Sequence, residues 1–587
     1  MILSSIKLVG FRNFKETEIN FNKKSLIIGA NDVGKTNLLW AIRLLLDRSL
    51  SDLDIEPQDS DFYAYEETNM FEIILGFSDV TDDCVVSKMK GQISDDHQLY
   101  LAYTAYRDKI TRAKSFQLSA GRSLEHLGII EDRMYRKVLN VKCINSRRDF
   151  HSYIIKEKNH LFQLAKSERN EDQTKQDDEL YLEIQEDLKK VDSKIPNLNF
   201  ISSATNSINQ ELSKLSLHHK KQKVIFDAST SSADNFIKNV AIAAQSNDHK
   251  VLIGGDGRLN QIYLALWASK NKLIEENLSE VTIFCIEEPE AHLHPHQQRK
   301  LADYLNLSLQ GQVLLTSHSP QIASEFSPNS IIRLLNEKGA TKAASNGCSQ
   351  IISDAFVDFG YRLSIIPSEA FFADVVFLVE GPSEEMFYKT LAKQLGIDLD
   401  RLNISILMVD GIGFGTFIRI LKSLDIQFVL RTDHDIFKIP DKNEHRYAGI
   451  QRCISYYDKY FTPDEETDKI LYDHIANLKW AGVEPKKINF DSGQTITKHL
   501  EKYNFYLSVK DLENDLLNSK IKTDITGFFK GLGEEETILK MQKKKAGNMY
   551  SFLKNAKETL TKLNGDAIVE PLLKCKKIIE NIQNEGN

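Results

Sequence analysis

The chain has 587 residues, of which 41% are hydrophobic and 27% charged, with a formal net charge of −8. That balance fits a soluble globular protein of two to four domains, at about 150 residues per domain, and excludes a disordered chain. No apolar run approaches the roughly 18 residues of a membrane span, Met1–Ser5 has no secretory pattern, and six scattered cysteines without a CxxC pair point to a reducing cytosol.

In chain order, Ile6 and Leu8, then Ile19 and Phe21, alternate with polar or small neighbours and predict two strands. Ser25–Ile28 is a short apolar strand running into Gly29, and Leu38, Leu39, Ile42, Leu45 and Leu46 recur at helical spacing after it. Phe71–Phe77 is a further strand. The polar stretch from Lys166 to Asp178 reads as a loop. A helical stripe then follows through Leu180, Ile184, Leu188, Val191 and Ile195, stopped by Pro196, with more helix through Ile208, Leu212 and Leu215. A partly helical insertion is therefore expected over about 80–245. Strands return at Val281–Ile286 and Val313–Thr316. Past a boundary near Ser345–Ser353, Val375–Val379, Ile404–Val409 and Phe428–Arg431 alternate with helices as a second α/β unit. The expected division is an ATPase domain over 1–348 and a second domain over 349–587 with a helical C-terminal extension.

Gly29-Ala30-Asn31-Asp32-Val33-Gly34-Lys35-Thr36 satisfies G-x-x-x-x-G-K-[ST]. The glycines let backbone N–H groups close on phosphate oxygens, Lys35 reaches the β- and γ-phosphates, and the Thr36 hydroxyl ligates Mg²⁺. Thr282–Glu288 is an apolar strand ending in two carboxylates: Glu287 is assigned to the metal and Glu288 to the general base. Val313–His318 ends a strand in a histidine placed to sense a γ-phosphate. His292, His294 and His296 lack a Cys or carboxylate to complete a tetrahedral metal set.

The second constellation is Glu380-Gly381-Pro382-Ser383-Glu384 after one strand and Asp433-His434-Asp435 after another. In a parallel sheet both strand ends share an edge, where open α/β sheets place their sites. Converging carboxylates repel unless cations neutralise them, and an oxygen-rich set suits Mg²⁺ or Mn²⁺. Each acid taken alone reads as an N-cap or a solvated loop end. The basic runs at His218–Lys223 and Lys540–Lys545 read alone as solvated helix faces, and the net charge does not favour nucleic acid, although binding is local.

The Gly10–Phe14 opening, the P-loop, the Glu287–Pro295 run and Thr316-Ser317-His318-Ser319-Pro320 resemble ABC-type ATPases of the DNA-maintenance kind. The E-G-x-x-E and D-x-D pair resembles a Toprim domain, and order and spacing along nearly the whole chain resemble class 2 nucleases of the OLD family. The resemblance implies an N-terminal ABC-type ATPase domain with a helical insertion, followed by a Toprim nuclease domain with a Rossmann-like parallel sheet. It implies nucleotide contacts at Arg12, Gly29, Asn31, Gly34, Lys35, Thr36, Asn37, Glu287 and His318, with the post-carboxylate run as a dimer D-loop. The phosphate-binding signature would be Gly254-Gly255-Asp256-Gly257, with glycine where the serine hydroxyl belongs, so Gly255 and Gly257 would contribute backbone N–H groups and slow hydrolysis is expected. For the nuclease it implies Glu380, Asp433 and Asp435 around one ion, Glu384, Asp511 and Glu513 around the other, and Lys545 as a transition-state cation. It further implies double-stranded DNA as substrate, a dimer or tetramer, a helicase partner protein, cytoplasmic location and a role in phage defence. A DNA clamp with an inert Toprim fold is the alternative. A topoisomerase or primase is less favoured, since neither a tyrosine module nor a zinc module is evident.

Overall fold

The structure is a computed structural model and describes residues 1–145, 150–215, 233, 237, 244–246, 249–251, 256–275, 280–308, 311–357, 368–409, 411 and 413–585. Its strands in chain order are β1 (Ile2–Phe11), β2 (Phe14–Asn20), β3 (Lys24–Ile28), β4 (Met70–Ser78), β5 (Leu99–Arg107), β6 (Lys114–Gly121), β7 (Leu127–Ile129), β8 (Leu139–Ile144), β9 (Ala244–Ser246) and β10 (His249–Val251). They continue as β11 (Val281–Glu287), β12 (Gln312–Thr316), β13 (Ile331–Glu337), β14 (Ala340–Ala343), β15 (Val375–Val379), β16 (Ile404–Met408), β17 (Gln427–Thr432), β18 (Ile436–Lys438), β19 (Glu444–Tyr447), β20 (Lys479–Ala481) and β21 (Phe505–Leu507).

An antiparallel sheet, ordered β2-β1-β4-β5-β6-β7, places Ile6, Leu8, Ile19 and Ile73 on one buried face, as period-2 alternation requires. A second sheet runs β14-β13-β3-β12-β11-β8, all parallel except β14. A parallel sheet is covered on both faces, so its strands are apolar runs: Leu26–Ile28, Phe284–Ile286 and Val313–Leu315 are all buried. An antiparallel sheet therefore accompanies the P-loop sheet, as the resemblance to ABC-type ATPases implies. The register sets Glu287 opposite Thr316 and Thr316 opposite Ile27, so the loop after β3, the carboxylates after β11 and the Ser-His pair after β12 emerge at one edge.

The third sheet, β16-β15-β17-β21, is wholly parallel. Every residue of its inner strand β15 is buried. Leu378 pairs with Leu430 and Thr432 with Leu507, which brings Glu380, Asp433 and Ser508 out together at the strand ends. A small antiparallel sheet, β18-β19-β20, follows Asp435. Arg333 on β13 is buried and donates to Ala373 O (3.1 Å), Leu424 O (3.2 Å) and Asp425 O (3.2 Å), joining the P-loop sheet to the start of β15 and the approach to β17. No helix among the described residues is long and apolar enough to cross a membrane.

A second compact unit comprises Asn145–Leu278 and Ala291–His294. The helical segment thus starts at Asn145 and not near residue 80: β5, β6 and β7 extend the antiparallel sheet and β8 the P-loop sheet. The first compact unit includes both the ATPase sheets and the third sheet. The loop expected over 166–178 is largely helical, because helix Phe150–Ser167 runs into it and helix Glu171–Lys194 begins on a capping box in which Asn170 and Gln173 bond each other's backbone. The stripe on that helix is not core: Leu180 is 56% and Val191 48% exposed, and only Leu188 is buried.

Candidate functional site

The P-loop is shaped by two glycines with positive φ. At Gly29 (φ 152°) a Cβ would lie 2.6 Å from the Leu334 carbonyl oxygen, and at Gly34 (φ 102°) one would lie 2.1 Å from Asn13 Nδ2. Asn13 fastens the loop by donating to Val33 O at 2.9 Å. Lys35 opens helix Lys35–Leu46, and its ammonium turns back on the loop to donate to Gly29 O (3.0 Å) and Ala30 O (2.7 Å). Burial lowers the Lys35 pKa to about 8, against the opposing pull of Glu288, Asp32 and Glu290. Asn31 and Thr36 are exposed at the mouth. Asn37 accepts from Arg12 Nη1 (2.9 Å) and donates to Asn13 (2.7 Å), while Arg12 also pairs with Asp61 at 2.9 Å.

Across the edge, Glu287 is buried and Glu288 sits in a left-handed turn (φ 42°) with its N–H on Thr316 O. His318 Nε2 lies 3.6 Å from Glu288, and burial, then the Lys35 charge, lower its pKa. Glu290, within the run after the paired carboxylates, serves this edge directly. Its carboxylate accepts from Ser317 Oγ (2.7 Å) and the His318 N–H (2.8 Å), orienting the histidine. Gly255 lies outside the described residues, as do Gly254 and the basic run at His218–Lys223. Gly257 opens helix Asp256–Glu275, where a Cβ would meet His292 O at 2.4 Å, so this glycine is needed for close packing on the His292 backbone. His292, His294 and His296 form no metal grouping among the described residues.

At the third sheet, Glu380 Oε1 accepts from the Asp433 N–H (2.8 Å) and from the Thr432 hydroxyl. Asp433 accepts from Ser508 Oγ (2.7 Å), and burial, then the Glu380 charge, raise its pKa to about 7. Burial also raises the pKa of Glu384 and of Glu513. Glu384 caps its own helix, Pro382–Gln394, by accepting from Gly381 N (3.1 Å). Asp511 caps helix Leu512–Leu517 through Asn514 N (2.8 Å) and accepts from Gln542 Nε2 (2.6 Å). Glu513 is 1% exposed, and its buried Oε2 accepts no hydrogen bond among the described residues. Lys545 Nζ stands 3.7 Å from that oxygen and 3.8 Å from Asp433. Burial opposes its charge, but Glu513 and Asp433 outweigh that and raise its pKa.

Three partners here were not assigned from the sequence. Arg431, fully enclosed on β17, pairs with Asp515 at 2.6 Å. Ser508 follows β21, and Arg452 reaches Asp435 at 2.9 Å from helix Ala448–Tyr460. A buried arginine inside an otherwise apolar strand was the one available clue, and it pointed to Arg431.

A P-loop sheet carrying paired carboxylates and a histidine, joined to a parallel sheet edged with acidic residues, defines an ATPase fused to a Toprim domain. Residues 1–323 match the model of the AAA ATPase domain, and residues 371–435 that of the overcoming lysogenization defect protein-like TOPRIM domain. The chain belongs to the AAA ATPase domain family and carries an OLD-like Toprim domain in its second half. It is 26% identical to endonuclease GajA of Bacillus cereus (strain VD045) over 578 residues, covering 94% of this chain and 95% of that protein. It is 24% identical to the Old nuclease of Escherichia phage P2 over 496 residues, covering 77% of this chain and 80% of that one.

Proposed function

We propose that this protein is a divalent-metal-dependent DNA endonuclease whose Toprim edge cuts phosphodiesters and whose P-loop edge senses nucleotide. The observation that carries the metal reading is the buried Glu513 oxygen, which has no hydrogen-bond donor among the described residues, beside Glu384, Asp433 and Asp511 and on the same sheet edge as Glu380 and Asp435. Lys545, at 3.7 Å, faces that oxygen from beyond hydrogen-bonding distance, and one ammonium leaves most of the acidic charge around it uncompensated, which favours further cations. The residues therefore fit Mg²⁺ or Mn²⁺. Glu380, Asp433 and Asp435 would hold one ion, and Glu384, Asp511 and Glu513 the other. Such ions, when bound, activate water and stabilise a leaving oxygen. Lys545 brings a positive charge to the side where Asp433 and Glu513 face each other, suited to the charge that builds on a phosphate. The names of the relatives supply nuclease as the chemistry, and DNA is the substrate proposed for it.

On the ATPase side, Lys35 and the loop amides would take the phosphates of ATP. Thr36 and Glu287 would take its Mg²⁺, Glu288 would act on water, and His318, aimed by Glu290, would read the γ-phosphate. Gly255 and Gly257 of a second copy would close the site in a homodimer or tetramer. Phage defence beside a GajB-like helicase in the cytoplasm is the setting this reading suggests.

The test is cleavage of plasmid DNA with Mg²⁺ or Mn²⁺ across a titration of ATP, ADP and a non-hydrolysable analogue. Glu380→Ala and Asp433→Ala should abolish cutting, while Lys35→Ala should cut but ignore nucleotide. Cutting that survives the first two variants would return the protein to a DNA clamp with an inert Toprim fold.

A further inference from the structure

Arg452 belongs to none of the motifs above, yet the fold delivers it to the centre of the acidic edge. Its helix, Ala448–Tyr460, is fastened to the Asp-x-Asp turn: the Ala448 N–H donates to Asp435 O and the Gly449 N–H to His434 O, both at 2.8 Å. A Cβ on Gly449 would come 2.0 Å from Asp433 O, so the helix can start this close only on glycine. One turn later Arg452 lies back over the strand ends. Its Nη2 is 2.9 Å from Asp435 Oδ2, 2.9 Å from Thr432 Oγ1 and 3.7 Å from Glu380 Oε1. Its Nε is buried and has no hydrogen-bond partner among the described residues, so the hydrogen bonds of the guanidinium to Thr432 and Asp435 run through Nη2.

The positive charges of this edge are divided. Lys545 faces Asp433 and Glu513, Arg431 is taken by Asp515, and among the described residues Arg452 is the cation paired with Glu380 and Asp435. We propose that Arg452 is a resident counter-ion: it occupies the Glu380–Asp435 pair that a divalent ion would use, and so sets how much metal the site requires. The inference rests on the metal reading proposed above. An arginine keeps its charge at any working pH, so a divalent ion can take these oxygens only against the guanidinium. A purely aligning role would work in the opposite direction, because its loss would loosen the ligands. Glu380 needs little such alignment, since the Asp433 N–H and the Thr432 hydroxyl already hold its Oε1.

The experiment is Mn²⁺ binding to the full-length chain at pH 8 by calorimetry, with no DNA present, for wild type, Arg452→Gln, Arg452→Lys and Glu380→Gln, each checked for folding by thermal melting. Arg452→Gln should bind Mn²⁺ about tenfold more tightly than wild type, and Arg452→Lys, which keeps the charge, should stay close to wild type. Unchanged or weaker binding in Arg452→Gln, with Glu380→Gln weakened, overturns the counter-ion role and leaves the metal site standing. If Glu380→Gln binds like wild type, the metal reading itself falls and the counter-ion with it. Arg452→Met serves as a second uncharged variant if Arg452→Gln fails to fold.

Discussion

Replacing Arg333 with methionine should unhook the P-loop sheet from the Toprim sheet. The Arg333 guanidinium is buried and donates to three carbonyl oxygens, Ala373, Leu424 and Asp425, at 3.1–3.2 Å. Its fourth partner, Asp374, lies at 3.4 Å and is 45% exposed, so that ion pair is screened and contributes little. Methionine keeps most of the apolar stem and loses every donor. Hydrogen bonds from a charged donor contribute about 1.5–3 kcal/mol each, but water reaches some of the freed carbonyls, so the loss should be about 3 kcal/mol rather than the full sum. At about 2–4 °C per kcal/mol for domains of 150–250 residues, Arg333→Met should melt about 6–12 °C lower. Because the lost contacts sit where strands β15 and β17 begin, calorimetry should also resolve two transitions that overlap in wild type. The carbonyl of Leu334, the next residue, backs onto Gly29, so the same variant should blunt the effect of ATP on DNA cutting. A single transition within about a degree of wild type would refute this account of the junction.

Gly449→Ala should fold but weaken Mn²⁺ binding at least about tenfold, because its Cβ would have to displace the Asp433 and His434 carbonyls by more than packing allows. Calorimetric affinity equal to wild type would contradict the close contact. For Lys35, burial places the folded pKa at about 8, below the ordinary value of 10.5. The nucleotide-free folded chain therefore binds fewer protons than the unfolded chain between about pH 8 and 10.5, and this group adds stability as pH rises through that window. Phosphate binding needs the ammonium, so nucleotide affinity should fall as pH rises above about 8, with proton uptake on binding. Calorimetry in buffers of different ionisation enthalpy reads that uptake, and Lys35→Arg should abolish the pH slope.

The P-loop and the E-G-x-x-E and D-x-D pair were legible because their chemistry is local. A strand end, a glycine turn and a helix start place those side chains with little help from distant residues. Glu290 was legible only as part of a run, since its role depends on β12 lying beside β11. Arg452 was not legible at all: it lies 17 residues beyond Asp435, and the packing of Gly449 against the Asp433 backbone brings it back to the edge. The Leu180–Val191 stripe predicted its helix but not its surroundings. Helical periodicity reports an apolar face, not a partner for it, and here that face is mostly exposed.

What the sequence determined by itself was the set of reactive groups and the strand that carries each one, because a parallel strand's apolar run and the residue that ends it are adjacent in the chain. What only the tertiary structure decided was their charge balance. The pairing of Arg431 with Asp515, of Lys545 with Glu513 and Asp433, and of Arg452 with Asp435 and Glu380 comes from separate helices and strands packed around one sheet edge. Coulomb interaction depends on distance through space, and spacing along the chain does not record it.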